Sequence, residues 1–370
     1  MKHSIFILIF LFVSTNLFPF NPTDTTDWEL KPSLKYDALC FLNVMTADEF
    51  YLKYYQNEYD KFKDRLTLQA THALTNLKKK IKDDKGKIIS AWLCLYFSAT
   101  SDENVDEMLK TLNNPETMKA NFKQSPYFLD EDWEFFVSLK DDLQTVFEWL
   151  KEINFEDYWR ETISVKAENK IKEFNNDVSK YNVIGKVEEH LGFNLPSNKI
   201  TVYMLYYSQP HGIKITGTRF LTDAAWPFGI LIRTASHEMM HPPFDLKNDS
   251  LLISTLTKLK TENFLMEKVL NHNPSFGYNS FEGFVEEDCV QALDQIINEK
   301  LGIVRDSKKR WQENDDGMHV LAITLYSIMK EENYNEKKEV FRDFLIRNIE
   351  NGKLLNGNIE KTYNQFYSLK

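Results

Sequence analysis

Residues 234–241 read Thr234-Ala-Ser-His-Glu-Met-Met-His241, and they contain two histidines, His237 and His241, four positions apart. Positions four apart lie on one face of an α-helix, so both imidazoles can reach the same metal ion. Glu238 lies at a neighbouring angle of the helix, where it can avoid the metal and act on a water molecule as a general base. This spacing predicts a zinc site with two histidine ligands and Glu238 as the catalytic residue.

The sequence around this motif is typical of a buried helix that ends at its second histidine. The chain has 8 histidines in 370 residues, and by chance the pattern should occur in roughly one such chain in a hundred. Residues 228–240 carry only one charge besides Glu238, on Arg233. Pro242 and Pro243 follow, and a proline moves the preceding residue away from the α region. We therefore expect the helix to stop at His241.

A third ligand has to come from another part of the chain. The three cysteines, Cys40, Cys94 and Cys289, are too scattered for a cysteine cage. A third histidine six residues after His241 would complete an extended form of the motif, but position 247 is a lysine. A glutamate on the predicted helix that begins near residue 281 is the remaining choice.

Helical phase separates the glutamates of that helix. At about 100° per residue, Glu282 and Glu286 lie within or beside the apolar face, whereas Glu287 lies on the polar side. An inward-facing acid is costly unless it is paired or binds a metal. We expect Glu282 or Glu286 to be the third ligand and rank Glu287 behind them. The alternative is that both are ordinary residues at the rim of an exposed helix.

The motif at residues 237–241, followed by Glu282-Gly-Phe-Val-Glu286, resembles the gluzincin class of zinc metallopeptidases, which includes thermolysin-like and aminopeptidase-like enzymes. Glu282-Gly-Phe resembles the segment that carries the third ligand in the aminopeptidase-like group. Glu286 resembles the acid that orients a ligand histidine in the thermolysin-like group. The resemblance implies hydrolysis of a peptide bond by a zinc-activated water, with Glu238 passing the proton to the leaving amine. Pro242-Pro243 and the long segment before Glu282 depart from that pattern.

Hydrolysis of this kind also needs a donor that stabilises the developing oxyanion. His319, Tyr326 and Tyr278 are the candidates, although each is also a common kind of packing residue. A non-catalytic zinc-binding or peptide-binding protein of the same architecture is the alternative function. The presence of Glu238 favours catalysis, because a structural site has no use for an unligated glutamate there.

The start of the chain and its charge indicate where the protein works. Residues 1–22 combine a basic start, an apolar run and a small polar break, which is typical of a secretory signal. We expect export to the periplasm or the extracellular space, without stable membrane insertion after signal removal. The formal net charge of −10 argues against nucleic acid as a partner and leaves a peptide or protein substrate.

The periodicity predicts an α+β protein that is mostly helical. Residues 23–190 form a helical N-terminal region, with helices around 103–122, 131–153 and 156–180. The gluzincin resemblance implies that residues 191–370 form a zincin-like metallopeptidase domain with a helical C-terminal part. Within it, residues 200–207 and 213–220 read as a β-hairpin that leads into the metal helix and offers an edge for an extended peptide.

Overall fold

The computed structural model describes residues 21–303, 305–334 and 339–368. The described chain is mostly helical and contains a small mixed sheet of four strands, which confirms the α+β prediction at that level. None of the helices in these ranges is both long and apolar enough to cross a membrane. Residues 1–20, which carry nearly all of the predicted export signal, lie outside the described ranges.

The elements follow one another along the chain with short connections. The strands are β1 (Asp27–Lys31), β2 (Lys199–Leu205), β3 (Ile213–Lys214) and β4 (Arg219–Asp223). The first helices are α1 (Leu34–Met45), α2 (Glu49–Phe62), α3 (Leu68–Leu77), α4 (Ile89–Phe97), α5 (Val105–Asn113), α6 (Glu116–Phe122), α7 (Asp130–Ser138), α8 (Lys140–Glu152), α9 (Phe155–Tyr158), α10 (Ser164–Val178) and α11 (Val183–Leu191). The later helices are α12 (Phe228–Glu238), α13 (Ser250–Thr257), α14 (Asn263–Asn271), α15 (Phe281–Lys300), α16 (Ser307–Glu313), α17 (Val320–Glu332), α18 (Phe341–Glu350) and α19 (Asn358–Ser368).

The sheet has the order β1-β2-β4-β3, in which β2 runs parallel to both of its neighbours and β3 runs antiparallel to β4. The predicted hairpin of residues 200–207 with 213–220 is therefore wrong. The chain reverses at Gly217, which has a φ of +70°, and this turn divides the segment into β3 and β4. The second piece, β4, lies beside β2, and β3 becomes an edge strand.

Two hydrophobic cores lie on opposite faces of the sheet. The first core, on one face, contains Leu205, Ile213 and Leu221 together with helices α1–α9. The second core, on the other face, contains Val202 and Phe220 together with helices α10–α19, including α12, which carries His237 and Glu238. Helices α10 and α11 fall within the range predicted as the N-terminal region, yet they pack in the second core. Strand β1, which also belongs to that range, pairs with β2 in the sheet.

Helix α12 ends earlier than its sequence indicates. Its last helical residue is Glu238, three positions before the predicted end at His241. The amide of Met240 donates to the carbonyl of His237 at 3.1 Å, which tightens the chain into a turn. Pro242 has no amide hydrogen with which to continue the helical ladder. His241 therefore belongs to the segment after the helix.

Candidate metal centre

The last turn of α12 carries His237 and Glu238, and its packing against α15 fixes their position. The buried side of α12 includes Leu231, Ile232 and Ala235. The hydroxyl of Ser236 lies 3.2 Å from Asp294 Oδ1 on α15. This contact places the residue before His237 directly against α15, so that the imidazole meets the side chains of that helix.

Three side chains converge at this contact. His237 Nε2 and His241 Nε2 lie 3.2 Å apart. Glu287 Oε1 lies 3.6 Å from His237 Nε2, and Glu287 Oε2 lies 3.4 Å from His241 Nε2. One ligand atom from each residue falls within 4.8 Å of the other two, so this group can hold one metal ion.

The predicted choice of glutamate needs correction. Glu282, expected to face inward, is 56 % exposed at its side chain and pairs with Lys260 at 3.3 Å. Glu286 does not join the ligand group and instead lies 3.2 Å from His241 Nδ1. Glu287, expected on the solvent side, is only 1 % exposed and points at the two histidines.

The physical reason is that α15 is buried on both of its faces. Its polar stripe consists of Glu287, Gln291, Asp294 and Asn298, spaced by four, three and four positions, and all four are buried. This spacing keeps them on one side of the helix. The stripe faces α12, as the contact of Asp294 with Ser236 shows. Polarity on α15 therefore marks the candidate metal centre and not the solvent.

A carboxylate lies near the Nδ1 atom of each of the two histidines. His241 Nδ1 is 3.2 Å from Glu286 Oε1, and His237 Nδ1 is 3.8 Å from Asp294 Oδ2. Glu286 favours a proton on His241 Nδ1, which would leave Nε2 of that ring to bind a metal ion. Asp294 is too far from His237 for a hydrogen bond and acts on that ring only as a neighbouring negative charge.

Buried partners in turn hold the carboxylates of Asp294 and Glu287. Asp294 accepts hydrogen bonds from Arg310 at 2.5 Å and from Arg305 at 2.7 Å. Burial alone would raise the pKa of Asp294, but the two guanidinium groups outweigh it and hold that pKa well below its usual range. Gln291 donates to Glu287 Oε1 at 2.6 Å and accepts from Arg310. The ligand side chains are therefore part of one connected network.

The electrostatics of the site favour positive charge at its centre. Burial opposes a charge on His241, but Glu286 and Glu287 outweigh that effect and raise its pKa to about 10. Burial would raise the pKa of Glu287, yet His237 and His241 hold it well below its usual range. Glu287 Oε2 is buried and has no hydrogen-bond partner among the described residues. A cation between these three side chains would satisfy that oxygen.

Glu238 lies beside the metal group, with its own set of neighbours. It is 7 % exposed. An added Cβ at Gly212, just before the edge strand β3, would lie 3.3 Å from Glu238 Oε1. Burial raises the pKa of the Tyr278 and Tyr127 phenols well above its usual value, and the next largest causes are Glu287 for Tyr278 and Glu286 for Tyr127. Glu238 adds a smaller effect on both phenols. Glu238 therefore lies near the possible metal ligands, the sheet edge and two phenols.

The three predicted oxyanion donors have different surroundings. His319 is buried and bonded on both nitrogens, to Asp288 at 2.6 Å and to Asp315 at 2.9 Å. Tyr326 donates to Glu299 at 2.8 Å, several turns along α15 from Glu287. Of the three, Tyr278 is the one whose phenol lies beside Glu287 and Glu238.

Tyr127, which lies between α6 and α7, is a further site residue that the sequence analysis did not identify. Its hydroxyl is buried without a hydrogen-bond partner among the described residues. No motif marks it, because it is brought to the site by packing of the first core against the second. Nearby, Lys247 Nζ donates to the carbonyl of Phe128 at 3.0 Å and ties the two parts together.

This arrangement can bind a metal ion through three side chains and present a carboxylate and hydroxyl groups to a molecule held next to it. Such a set of groups is suited to the hydrolysis of a polar bond. Comparison of the chain with protein-family models, with curated proteins and with solved structures found no match.

Proposed function

We propose that this protein is a zinc-dependent metallopeptidase that hydrolyses peptide bonds, with Glu238 as general base. The observation that carries the proposal is the convergence of His237, His241 and Glu287 on one point, with an unligated carboxylate beside them. A structural metal site is closed by four protein ligands, whereas a hydrolytic site has three and leaves one position open. Three ligands are found among the described residues.

The donor set fits zinc. With bonds of about 2.0–2.1 Å, two ligands of a tetrahedral ion lie roughly 3.3–3.4 Å apart. In the ligand group the two Nε2 atoms lie 3.2 Å apart, Glu287 Oε2 lies 3.4 Å from His241 Nε2, and the other oxygen of Glu287, Oε1, lies 3.6 Å from His237 Nε2. Two imidazoles and one carboxylate are also a ligand set that zinc accepts readily. The unpartnered oxygen of Glu287 supplies a further reason to place a cation there.

A bound zinc ion would supply Lewis acidity and activate a water molecule at neutral pH. Glu238 would then act as the general base, taking a proton at its carboxylate and delivering it to the leaving amine. The Tyr278 and Tyr127 hydroxyls lie near Glu238 and can donate to a carbonyl oxygen as it gains charge. Glu286 keeps the imidazole of His241 oriented.

The sheet edge supports a peptide as the substrate. Strand β3 is the last strand in the order β1-β2-β4-β3, and the residue before it lies against Glu238. An extended peptide can add to such an edge through backbone hydrogen bonds, which places a peptide bond close to the base. We interpret the sheet with α12 and α15 as a zincin-like core, in agreement with the gluzincin resemblance of the motif. By the signal-like residues 1–22, we propose that the enzyme is exported to the periplasm or the extracellular space.

The test is a metal analysis of the purified full-length chain, followed by cleavage of a peptide library with and without chelator. The expected result is one zinc per chain, cleavage that chelator abolishes, and a Glu238→Gln variant that keeps zinc and loses cleavage. Glu282→Gln is the matched control, because Glu282 is exposed and paired with Lys260 outside the site. Zinc without any cleavage by the native chain would instead support a non-catalytic zinc-binding or peptide-binding protein. Cleavage that persists in Glu238→Gln would refute the role of the base.

A further inference from the structure

Lys214 lies on the edge strand next to the proposed base. Gly212 lies just before this two-residue strand, and positions 212 and 214 both face α12. A Cβ built at Gly212 would point into α12, 2.5 Å from Thr234 Cγ2 and 3.3 Å from Glu238 Oε1. The ammonium of Lys214 accordingly reaches α12 as well, with its Nζ 4.0 Å from Met239 Sδ.

The pairing of the sheet gives the same orientation independently. Lys214 lies opposite Phe220, whose side chain packs in the core that contains α12. Its neighbour Ile213 packs in the other core, with helices α1–α9. The pleat of the sheet therefore directs Lys214 to the same side as the metal helix.

Lys214 lacks an acidic partner within the described part of the chain. No carboxylate oxygen of the described residues forms an ion pair with it within 4.0 Å, and its ammonium instead contacts the thioether of Met239. Burial lowers its pKa to about 8, and Glu238 only partly opposes that effect. The buried Lys35 differs, because it donates to two backbone carbonyls at 3.0 Å each. A partly buried ammonium without such partners carries an uncompensated desolvation cost.

We propose that Lys214 binds a carboxylate of the substrate, one or two residues from the peptide bond that is cleaved. This inference rests on the proposed function, since it names the substrate class of the same site. Gly212 marks the position of Glu238 along the strand, and Lys214 lies two residues further, about 7 Å away. An extended substrate on the same edge covers that distance in about two residues. The carboxylate can be the C-terminus of a short peptide or an acidic side chain, and both offer the same acceptor.

The experiment uses the zinc-loaded full chain and one cleavable peptide sequence in three forms. The first two are the free C-terminal acid and the C-terminal amide. The third form is the amide with a glutamate introduced, made once with the glutamate before the cleaved bond and once with it after. The expected kcat/KM of the carboxylate-bearing form exceeds that of the plain amide about 10- to 100-fold, the range of a hydrogen bond to a charged group. The form that shows the preference identifies the source of the carboxylate.

Variants test whether Lys214 is responsible. Lys214→Met keeps the approximate length of the side chain and removes its charge. In this variant the kcat/KM for the carboxylate substrate, divided by that for the amide, should fall toward one. In Lys214→Arg most of the preference for the carboxylate substrate should remain. Lys199→Met is the matched control, because Lys199 is exposed on β2 and paired with Glu29 at 3.2 Å. Its ratio should equal that of the native chain.

A binding measurement separates this inference from the proposed function. N-acetyl-alanyl-alanine should raise the melting temperature of the native chain more than its carboxamide does, and Lys214→Met should remove the difference. Absence of all peptide cleavage would count against the peptidase proposal, while this binding arm would still test the carboxylate site. Equal effects of acid and amide on the native chain, or a preference that Lys214→Met leaves intact, would overturn the inference.

Discussion

The contact between the start of the edge strand and α12 can be tested by adding a single methyl group at Gly212. In Gly212→Ala the new Cβ would lie 2.5 Å from Thr234 Cγ2, a separation at which one of the two elements has to move. Thr234 is β-branched and lies within α12, so its side chain has little freedom to turn away. Overpacking of this kind costs about 1–3 kcal/mol. A shift of β3 away from Glu238 by about 1 Å would also reduce kcat/KM, by as much as ~100-fold.

Two further variants make this prediction specific. Thr234→Ser removes the methyl group that clashes, so Gly212→Ala combined with Thr234→Ser should recover most of the lost stability. The remaining close contact, 3.3 Å to Glu238 Oε1, is to the end of a side chain. Gly229→Ala is the matched control, since Gly229 lies in the same helix with nothing within 4 Å of an added Cβ. It should stabilise the chain by about 0.5–1 kcal/mol.

Urea denaturation of the full chain measures five proteins: the native chain, Gly212→Ala, Gly229→Ala, the double variant and Thr234→Ser alone, which completes the coupling cycle. Peptide cleavage supplies the second readout. The reasoning predicts a loss for Gly212→Ala, a gain for Gly229→Ala and a favourable coupling energy in the double variant. It is refuted if Gly212→Ala is as stable as Gly229→Ala, because the strand would then not be in contact with the helix. It is refuted equally if Thr234→Ser fails to restore stability to the Gly212→Ala background.

Three other predictions concern the surroundings of the site and the first core. Glu286→Gln should weaken zinc affinity about 10- to 100-fold by removing the carboxylate beside His241 Nδ1, as measured by competition with a zinc chelator. Asp294→Asn should destabilise the chain by about 3–5 kcal/mol, because Arg310 is left as a buried cation without its acid, and chemical denaturation measures that loss. Burial lowers the pKa of Lys35 to about 8, below its value of about 10.5 in the unfolded chain. The contribution of Lys35 to the free energy of unfolding is therefore fully present above pH ~10.5 and is lost as the pH falls through 8. The free energy of unfolding of the native chain minus that of Lys35→Met should therefore rise between pH 8 and 10.5, by about 3 kcal/mol at most.

The metal helix could be anticipated from sequence because its signal is local. The spacing of His237, Glu238 and His241 depends on neighbouring positions, and the structure brings both histidines to one point. The early end of α12 is also local, but the proline rule locates a helix end only to within a few residues. Strand β2 could also be predicted, because its signal lies in its own residues. Its parallel pairing with β4 could not, because strand pairing depends on where the chain reverses.

The identity of the third ligand depended on an assumption that fails here. Helical phase identifies an inner face only when the helix has an outer one, and α15 is surrounded on both sides. A usable signal was present in its polar stripe, Glu287, Gln291, Asp294 and Asn298, which contains acids and amides but no lysine or arginine. A solvated face normally mixes both signs of charge. Such a stripe indicates a buried polar surface with partners elsewhere.

Tyr127 and Lys214 show what sequence alone does not supply. Each reaches the site from a segment far along the chain, Tyr127 from the connection between α6 and α7 and Lys214 from the edge strand. Their roles depend on the packing of two cores across one sheet and on the direction of the pleat. Neither the composition nor the periodicity of their own segments contains that information.

The most direct measurement is the zinc content of three purified full-length proteins after equilibration with zinc and removal of the unbound metal. The native chain should retain one ion, and Glu282→Ala should retain the same amount because its side chain is exposed and paired with Lys260. Glu287→Ala should lose the ion or bind it far more weakly, since it removes the buried carboxylate that faces both histidines. Full zinc retention by Glu287→Ala, or its loss in Glu282→Ala, would contradict the assignment of the metal centre.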